Sequence, residues 1–270
     1  MDHDALQTAL DRQRRAFTAD GPPDAATRIE RLDRLAGMVL AHADAIVDAL
    51  SQDFGCRSTH ATRTGDVLGA VAAIRYNRDN LSAWMAPEPV PMPPAMQAAG
   101  ARAEVRYQPL GVIGAIVPWN GPVLMGVLAA AGALAAGNRL MLKVPELTPR
   151  ASALLQRMVA GSFAPEELCV VQGDAAVGAA FSRLRFDHLL FTGSAAIARH
   201  VARAAADNLV PVTLELGGRN PVIVGRDADL SLVAARLATG KMASAGQVCV
   251  APDYVLAPRA SVQPLVAALA

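Results

Sequence analysis

The sequence predicts an α/β fold in which helices cover both faces of a parallel sheet, a doubly wound, Rossmann-like arrangement. From residue 112 onward, short apolar runs alternate with longer alanine-rich segments of helical length. The runs lack the polar and apolar alternation of a strand with one solvent-exposed face, which indicates strands buried on both faces. Buried strands that alternate with helices are typical of open parallel sheets.

The individual elements follow from these runs. We assign strands to Val112–Val117, Leu140–Val144, Cys169–Gln172, His188–Thr192 and Val212–Leu216. The helices between them are predicted at about Val123–Ala136, Pro149–Val159, Ala175–Leu184 and Ala195–Asn208. A strand at Val222–Val224, a helix at Leu230–Ser244, a strand at Tyr254–Ala257 and a final helix complete the chain.

The N-terminal third is predicted to be helical. Apolar residues recur every three to four positions over Ile29–Leu50 and again over Val67–Trp84, as in amphipathic helices. A proline run from Pro87 to Pro94 then forms an extended connector before an alternating strand around Ala103–Tyr107. We therefore divide the chain into helices at 1–86, a connector and strand at 87–110, an α/β core at 111–228 and a further unit at 229–270.

Composition and charge exclude several classes of protein. Hydrophobic residues make up 53% of the 270 residues and charged residues 18%, which excludes a disordered chain. A net charge of +1 lacks the basic excess of nucleic-acid-binding proteins, so we expect no nucleic-acid partner. Three widely spaced cysteines form neither a disulfide framework nor a metal clamp, and the acidic start does not resemble a signal peptide. A cytoplasmic location is expected.

One segment resembles a membrane span. Residues 111–137 carry no charged side chain and are long enough to cross a bilayer. However, Pro118-Trp119-Asn120-Gly121-Pro122 interrupts the segment, and prolines prevent one continuous helix. We therefore interpret the segment as a buried strand followed by a helix, and expect no membrane partner.

Polar residues follow the predicted strands at one edge of the sheet, where open parallel sheets bind ligands. They are Pro118, Trp119, Asn120, Lys143, Glu146, Thr192, Gly193, Ser194, Glu215, Gly217 and Gly218. The local sequence favours Ser194 as the N-cap of the next helix over a phosphate-binding role, and Lys143 with Glu146 can instead form a capping pair on a solvated turn. Neither a GxGxxG motif nor a Walker motif is present, so a nucleotide needs another binding mode.

Cys249 is the most informative single residue. It follows a Gly246-Gln247 turn where the chain leaves a helix, so its sulfur can face a cleft. Cys169 and Cys56 are instead predicted to be small buried hydrophobes. Glu215 ends an apolar strand, where a carboxylate is costly unless it is paired or functional. The five histidines show no metal-ligand spacing, so no metal site is expected.

Five ordered blocks resemble the aldehyde dehydrogenase superfamily, and in particular its coniferyl aldehyde dehydrogenase and class 3 branch. The blocks are Pro118-Trp119-Asn120, Lys143-Val144-Pro145-Glu146, Phe191-Thr192-Gly193-Ser194, Leu214-Glu215-Leu216-Gly217-Gly218 and Gly246-Gln247-Val248-Cys249. The branch is indicated by Asp53-Phe54-Gly55, by the segment from Phe186 to Ser194 and by Cys249-Val250-Ala251-Pro252-Asp253-Tyr254.

The resemblance implies a role for each site residue. Cys249 corresponds to the nucleophile, Asn120 and the Cys249 backbone N–H to the oxyanion hole, and Glu215 to the base that activates water for thioester hydrolysis. The implied cofactor is NAD, with NADP possible. The positions that correspond to cofactor contacts are Pro118, Trp119, Lys143, Glu146, Gly178, Gly193, Ser194, Leu216 and Gly217, with Lys143 and Glu146 at the adenosine ribose.

The family's chain continues past the counterpart of Ala270, so the resemblance covers an N-terminal portion with only the truncated start of an α/β catalytic domain at 229–270. The expected function is NAD(P)-dependent oxidation of an aldehyde to an acid, with aromatic aldehydes of the coniferyl type as candidates. The alternative is a nucleotide-binding remnant without turnover. Transfer of the thioester to coenzyme A is a third possibility, which Glu215 disfavours. The family implies a homo-oligomer formed through a hairpin such as 87–110.

Overall fold

The computed structural model describes residues 3–270, so Met1 and Asp2 of the acidic start lie outside the described residues. The helices are α1 His3–Asp20, α2 Ala25–Ala41, α3 Ala43–Phe54, α4 Thr59–Ala61, α5 Gly69–Trp84, α6 Pro94–Ala98, α7 Pro122–Ala135, α8 Pro149–Ser162, α9 Ala175–Ser182, α10 Ala195–Ala206, α11 Leu230–Met242 and α12 Arg259–Leu269. A π-helix covers Thr62–Leu68 and a 3₁₀-helix Ala243–Gly246. The strands are β1 Glu88–Val90, β2 Ala103–Val105, β3 Val112–Ile116, β4 Arg139–Lys143, β5 Leu168–Val171, β6 His188–Gly193, β7 Val212–Leu216, β8 Asn220–Ile223 and β9 Pro252–Leu256.

The central sheet is parallel and has the order β5-β4-β3-β6-β7. The chain runs outward from β3 to β5, crosses to β6, and then runs outward on the other side. The strand order therefore reverses between β3 and β6, which is where doubly wound sheets open a crevice beyond the strand ends. The predicted fold class is confirmed.

Helices pack on both faces of this sheet. One apolar cluster joins α2, α3, α5, α7 and α8 to the sheet, and a second joins α1, α9 and α10 to its other face. Side chains along β4 alternate between them: Leu140 and Leu142 belong to the first cluster, and Met141 to the second. All three are at most 1% exposed, so the strand is buried on both sides as its unbroken apolar run predicts.

The helical N-terminal third is confirmed with two differences. The stretch predicted as one helix from Ile29 to Leu50 is two helices, because the chain bends at His42 between α2 and α3. The His42 backbone N–H closes the end of α2 on the Val39 carbonyl. The second helical stretch begins with the π-helix before α5 continues it.

The uncharged segment 111–137 forms β3, a turn and α7, as the prolines predict. Pro122 occupies the first turn of α7, where its missing N–H breaks no hydrogen bond. Over residues 3–270, no helix combines the length and apolar character that a membrane crossing requires.

Two small sheets lie outside the central one. β1 and β2 pair antiparallel within 87–110, as a hairpin whose strands are largely exposed. β8 and β9 pair parallel and pack with α11 and α12 around Val224, Leu237 and Leu265. The domain boundaries and the role of the hairpin in self-association stay predictions.

The two cysteines predicted to be buried differ. Cys169 on β5 packs against the second cluster, as predicted, and burial raises the pKa of its thiol to about 12. The prediction for Cys56 was wrong, since Cys56 is exposed. It follows Gly55, which ends α3 with a φ of 75°, so the chain turns outward there.

The ring of Phe186 leaves no room for a side chain at Gly114 of β3, because an added Cβ would lie 2.5 Å from that ring. We expect Gly114→Ala to lower the free energy of unfolding by about 1 to 3 kcal/mol. The matched control is Gly132→Ala in α7, where the added Cβ meets nothing within 4 Å. Since alanine favours a helix by about 0.5 to 1 kcal/mol, the control should unfold at equal or higher urea concentration. Equal losses in both variants would contradict this packing.

The raised pKa of Cys169 predicts an inert thiol. At pH 8, iodoacetamide should modify Cys169 roughly a thousandfold more slowly than exposed Cys56, as read by mass spectrometry of tryptic peptides. In urea the two rates should converge. Because the unfolded thiol ionises near pH 8.5 and the folded one only near 12, the free energy of unfolding should fall as the pH rises above about 8.5. Rapid labelling of Cys169 in the folded chain would be inconsistent with its burial.

Candidate active site

The turn after β3 carries Trp119 and Asn120 at the carboxyl edge of the central sheet. The Trp119 ring stacks on Phe54 with centroids 6.2 Å apart. The Asn120 side-chain amide donates a hydrogen bond to the carbonyl oxygen of Gln247 at 2.7 Å. Gln247 lies two residues before Cys249, so the turn predicted to hold the oxyanion donor contacts the loop predicted to hold the nucleophile.

The loop before Cys249 has a constrained backbone. Ser244, Ala245 and Gly246 are consecutive left-handed residues with φ values of 51°, 54° and 77°. Only glycine adopts this region without steric cost, so Ser244 and Ala245 each carry about 1 to 2 kcal/mol of strain. The Cys249 side chain that follows is exposed, as the sequence predicts for a nucleophile facing a cleft.

Asn220 secures the other side of this loop. Its side-chain amide donates to the backbone carbonyls of Cys249 at 2.8 Å and of Ala251 at 3.0 Å. Gly218 lies so near that an added Cβ would be 3.4 Å from the Cys249 carbonyl oxygen. The segment after β7 thus runs beside the cysteine loop. Sequence reasoning did not select Asn220, because its role depends on a contact 29 residues away.

Glu215 lies near the end of the apolar strand β7, where a carboxylate is costly unless it is paired or functional, and the structure reduces that cost. The side chain is exposed, because β7 is the edge strand and its alternate residues Thr213 and Glu215 face away from the packed side. Pairing with β6 places Glu215 opposite Thr192 and Leu216 opposite Gly193. The residues predicted on these two strands therefore meet at one sheet edge.

Lys143 ends β4 with a buried side chain. Its ammonium donates to the Val144 carbonyl at 2.7 Å and lies 3.5 Å from the Glu146 carboxylate. Burial lowers the pKa of Lys143, while the carboxylates of Glu146 and Asp174 act in the opposite direction. The Glu146 side chain is 47% exposed, so the pair presents a donor and an acceptor at the rim of a cavity.

That cavity lies between α9 and α10 and encloses about 580 Å³. Its lining includes Lys143, Glu146 and Gly178, three of the predicted cofactor positions. Residues that sequence reasoning missed also line it: Ile116, Asp174, Ala175, Ala179, Ser182, Arg183, Phe191, Ile197, His200, Val201, Arg203, Ala204 and Asp207. Many of these residues recur every three or four positions along α9 and α10, so they lie on the facing sides of the two helices. This spacing can be read from the sequence.

The cavity fits a nucleotide-sized group. Its volume falls within the roughly 300 to 1,000 Å³ of small-molecule sites. Gly178 leaves open space, since an added Cβ would meet nothing within 4 Å. Ser194 caps α10 by accepting a hydrogen bond from the Ile197 N–H, as its alternative reading predicts, and so places a hydroxyl at a helix N-terminus.

The other predicted cofactor positions lie on neighbouring segments. Pro118 belongs to the turn after β3, Gly193 ends β6, Leu216 ends β7 and Gly217 follows it. Within residues 3–270, no three His, Cys, Asp or Glu side chains group as a metal site.

The two Asn220 bonds are expected to restrain the Cys249 loop. Asn220→Ala should speed amide hydrogen exchange over residues 247–251 by about five- to thirtyfold, since each of the two lost hydrogen bonds contributes about 1 kcal/mol. The control is Asn80→Ala, whose amide donates to the Tyr76 carbonyl on the solvent-facing side of α5, away from the Cys249 loop. Exchange in 247–251 that is unchanged in Asn220→Ala would show that other contacts hold the loop.

Comparisons with known proteins show which family and which solved folds this chain is similar to. The model of the Aldehyde dehydrogenase family matches residues 1–270. The coniferyl aldehyde dehydrogenase of Pseudomonas sp. (strain HR199 / DSM 7063) is 51% identical over 262 residues, covering 97% of this chain and 54% of that protein. The dimeric NADP-preferring aldehyde dehydrogenase of Canis lupus familiaris is 34% identical, covering 93% and 55%. The NAD+ complex of Bacillus cereus aldehyde dehydrogenase is 27% identical with a TM-score of 0.86, covering 99% and 54%.

The chain spans about half the length of the curated relatives it matches. Its helices and five-stranded parallel sheet superpose on the corresponding half of a solved relative. Because the family model matches every residue and the ordered motifs converge on one sheet edge, the chain belongs to the aldehyde dehydrogenase family.

Proposed function

We propose that this chain takes part in NAD(P)-dependent oxidation of an aldehyde to a carboxylic acid, with Cys249 as the nucleophile. The observation that carries the proposal is the 2.7 Å hydrogen bond from the Asn120 amide to the Gln247 carbonyl. It joins a polarising donor to the loop of an exposed thiol at the carboxyl edge of a doubly wound sheet, where such folds bind ligands.

The Cys249 thiolate adds to the carbonyl carbon of the aldehyde and leaves a negative charge on the former carbonyl oxygen. Asn120 and the Cys249 backbone N–H donate to that oxygen, a contact worth roughly 3 to 4 kcal/mol per donor in other enzymes. Since Asn120 now donates to Gln247, the amide exchanges that partner for the substrate oxygen. A bound NAD(P) would supply the hydride acceptor for this carbon, and loss of hydride would leave a thioester on Cys249.

Glu215 then removes a proton from water, and the resulting hydroxide attacks the thioester to release the carboxylic acid and the Cys249 thiolate, after which Glu215 gives its proton to solvent. Its exposure supports this role, because a hydrolytic base needs access to solvent water. A carboxylate at this position also favours water over coenzyme A as the acceptor of the acyl group.

The cavity between α9 and α10 is the proposed adenosine site. Lys143 and Glu146 would bind the ribose hydroxyls, and the Glu146 carboxylate favours NAD because it repels a second phosphate. Pro118, Trp119 and Ser194 would lie along the pyrophosphate, and Gly193, Leu216 and Gly217 along the nicotinamide. NADP stays possible, since one relative is NADP-preferring.

The proposed substrate is an aromatic aldehyde of the coniferyl type, which the 51% identity to a coniferyl aldehyde dehydrogenase supports. The proposed location is the cytoplasm, whose reducing environment keeps a thiol nucleophile reduced. Self-association through the exposed β1–β2 hairpin belongs to the same proposal.

A second function, nucleotide binding without turnover, is favoured by one observation. The chain spans 54% of its coniferyl relative, and residues of its central sheet, α9 and α10 line a cavity of about 580 Å³. Binding and chemistry therefore have to be measured separately.

The test is the formation of reduced nicotinamide by the purified chain with NAD or NADP and a series of aliphatic and aromatic aldehydes. Cys249→Ser should lower the rate by roughly a thousandfold or more, because it removes the nucleophile. Cys56→Ser is the matched control, since Cys56 is also exposed, and should stay within about twofold of the wild type.

Cofactor binding is measured in parallel by calorimetry on the same proteins. Binding without turnover in the wild type would support the second function. Turnover that survives Cys249→Ser would exclude Cys249 as the nucleophile, and a folded chain that neither binds NAD(P) nor turns over would overturn both functions.

A further inference from the structure

The segment that follows α3 lies against the turn that carries Asn120. We propose that Arg57 in this segment is a positioning residue that holds the Asn120 turn, so that the Asn120 amide reaches the Cys249 loop. Arg57 contacts the turn directly and acts on the chemistry only through Asn120. This inference rests on the proposed function and adds to it a residue outside the family motifs quoted above.

The Arg57 guanidinium bridges two partners. One terminal nitrogen donates to the Asp66 carboxylate at 2.7 Å, and the other donates to the backbone carbonyl of Asn120 at 2.9 Å. The Arg57 side chain is 14% exposed and that of Asp66 2%, so solvent weakens neither contact much. A planar guanidinium can direct donors at both partners at once, whereas a lysine ammonium is a single point of charge.

Asp66, the carboxylate partner of Arg57, lies in a buried part of the chain. It belongs to the π-helix Thr62–Leu68, a form that is rare and occurs often at functional sites. Burial raises the pKa of Asp66, while Arg57 and the backbone N–H of Leu124 in α7 oppose that rise. A buried carboxylate without a neighbouring cation destabilises the folded state, so the ion pair with Asp66 holds the Arg57 guanidinium in place.

An aromatic contact holds the same turn at a second point. The Arg57 guanidinium lies 4.9 Å from the centre of the Phe54 ring, and Phe54 stacks on Trp119. Trp119 and Asn120 are adjacent in sequence, so one arginine supports the turn through its backbone and through its ring. The cofactor cavity does not include Arg57.

The first experiment separates positioning from folding with Arg57→Lys. Lysine keeps the charge that Asp66 needs but cannot bridge to the Asn120 carbonyl in the same way. We expect a melting temperature near that of the wild type, kcat lowered about tenfold or more, and KM for NAD(P) within twofold. The matched control is Arg63→Lys, which alters an exposed pair with Asp44 and should leave kcat unchanged.

The double variant Arg57→Met/Asp66→Asn removes both charges and so avoids an unpaired buried carboxylate. If Arg57 positions Asn120, this variant folds but its kcat stays at least about tenfold low. Wild-type kcat in this variant or in Arg57→Lys would overturn the inference, since Arg57 would then serve only to neutralise Asp66.

A turnover-independent measurement keeps the two proposals apart. The chain has two tryptophans, so Trp84→Phe leaves Trp119 as the sole tryptophan emitter. In that background the double variant should shift Trp119 emission to the red and raise acrylamide quenching about twofold, while Arg63→Lys should not. If the double variant shows this shift but the wild-type chain has no turnover, the proposed function is rejected. The inference that Arg57 holds the Asn120 turn is then kept. Unchanged emission would reject the inference whether or not the chain turns over.

Discussion

The candidate site depends on the burial of β3 as the central strand of the sheet. β3 is hydrogen-bonded to β4 on one side and to β6 on the other, and the Phe186 ring fills the space beside Gly114. A slip of one residue would exchange its two buried faces, so its register is strongly determined. The turn that follows, with Trp119 and Asn120, therefore takes its position from the core.

The Cys249 loop is held in a different way. Two left-handed non-glycine residues cost about 1 to 2 kcal/mol each, and three side-chain hydrogen bonds from Asn120 and Asn220 contribute about 1 kcal/mol each. These opposing amounts are similar, so the loop is held by a small margin. A loop held by a small margin is compatible with the proposed transfer of the Asn120 amide from the Gln247 carbonyl to a substrate oxygen.

Local patterns predicted the fold and the positions of most candidate site residues. Unbroken apolar runs identified the buried strands, and the prolines around Trp119 divided strand from helix. Burial at the edges of the fold was less predictable: Cys56 was expected to be buried, yet it lies on an outward turn, and the apolar run around Glu215 does not show that β7 is an edge strand. Asn220 and Arg57 were missed because their contacts join residues 29 to 63 positions apart, which no local pattern records.

The cavity proposed for the cofactor and the cysteine proposed as the nucleophile are held by different parts of the fold. The cavity is built from the central sheet, α9 and α10, whose apolar cluster also includes α1. Cys249 instead precedes β9 of a small sheet in which Tyr254 and Leu256 are about half exposed. Because little buried area supports that sheet, it should open at lower free energy than the core. Under the proposed roles, nucleotide binding would therefore persist under conditions in which the Cys249 loop has moved away from Asn120, so binding and turnover would be lost separately.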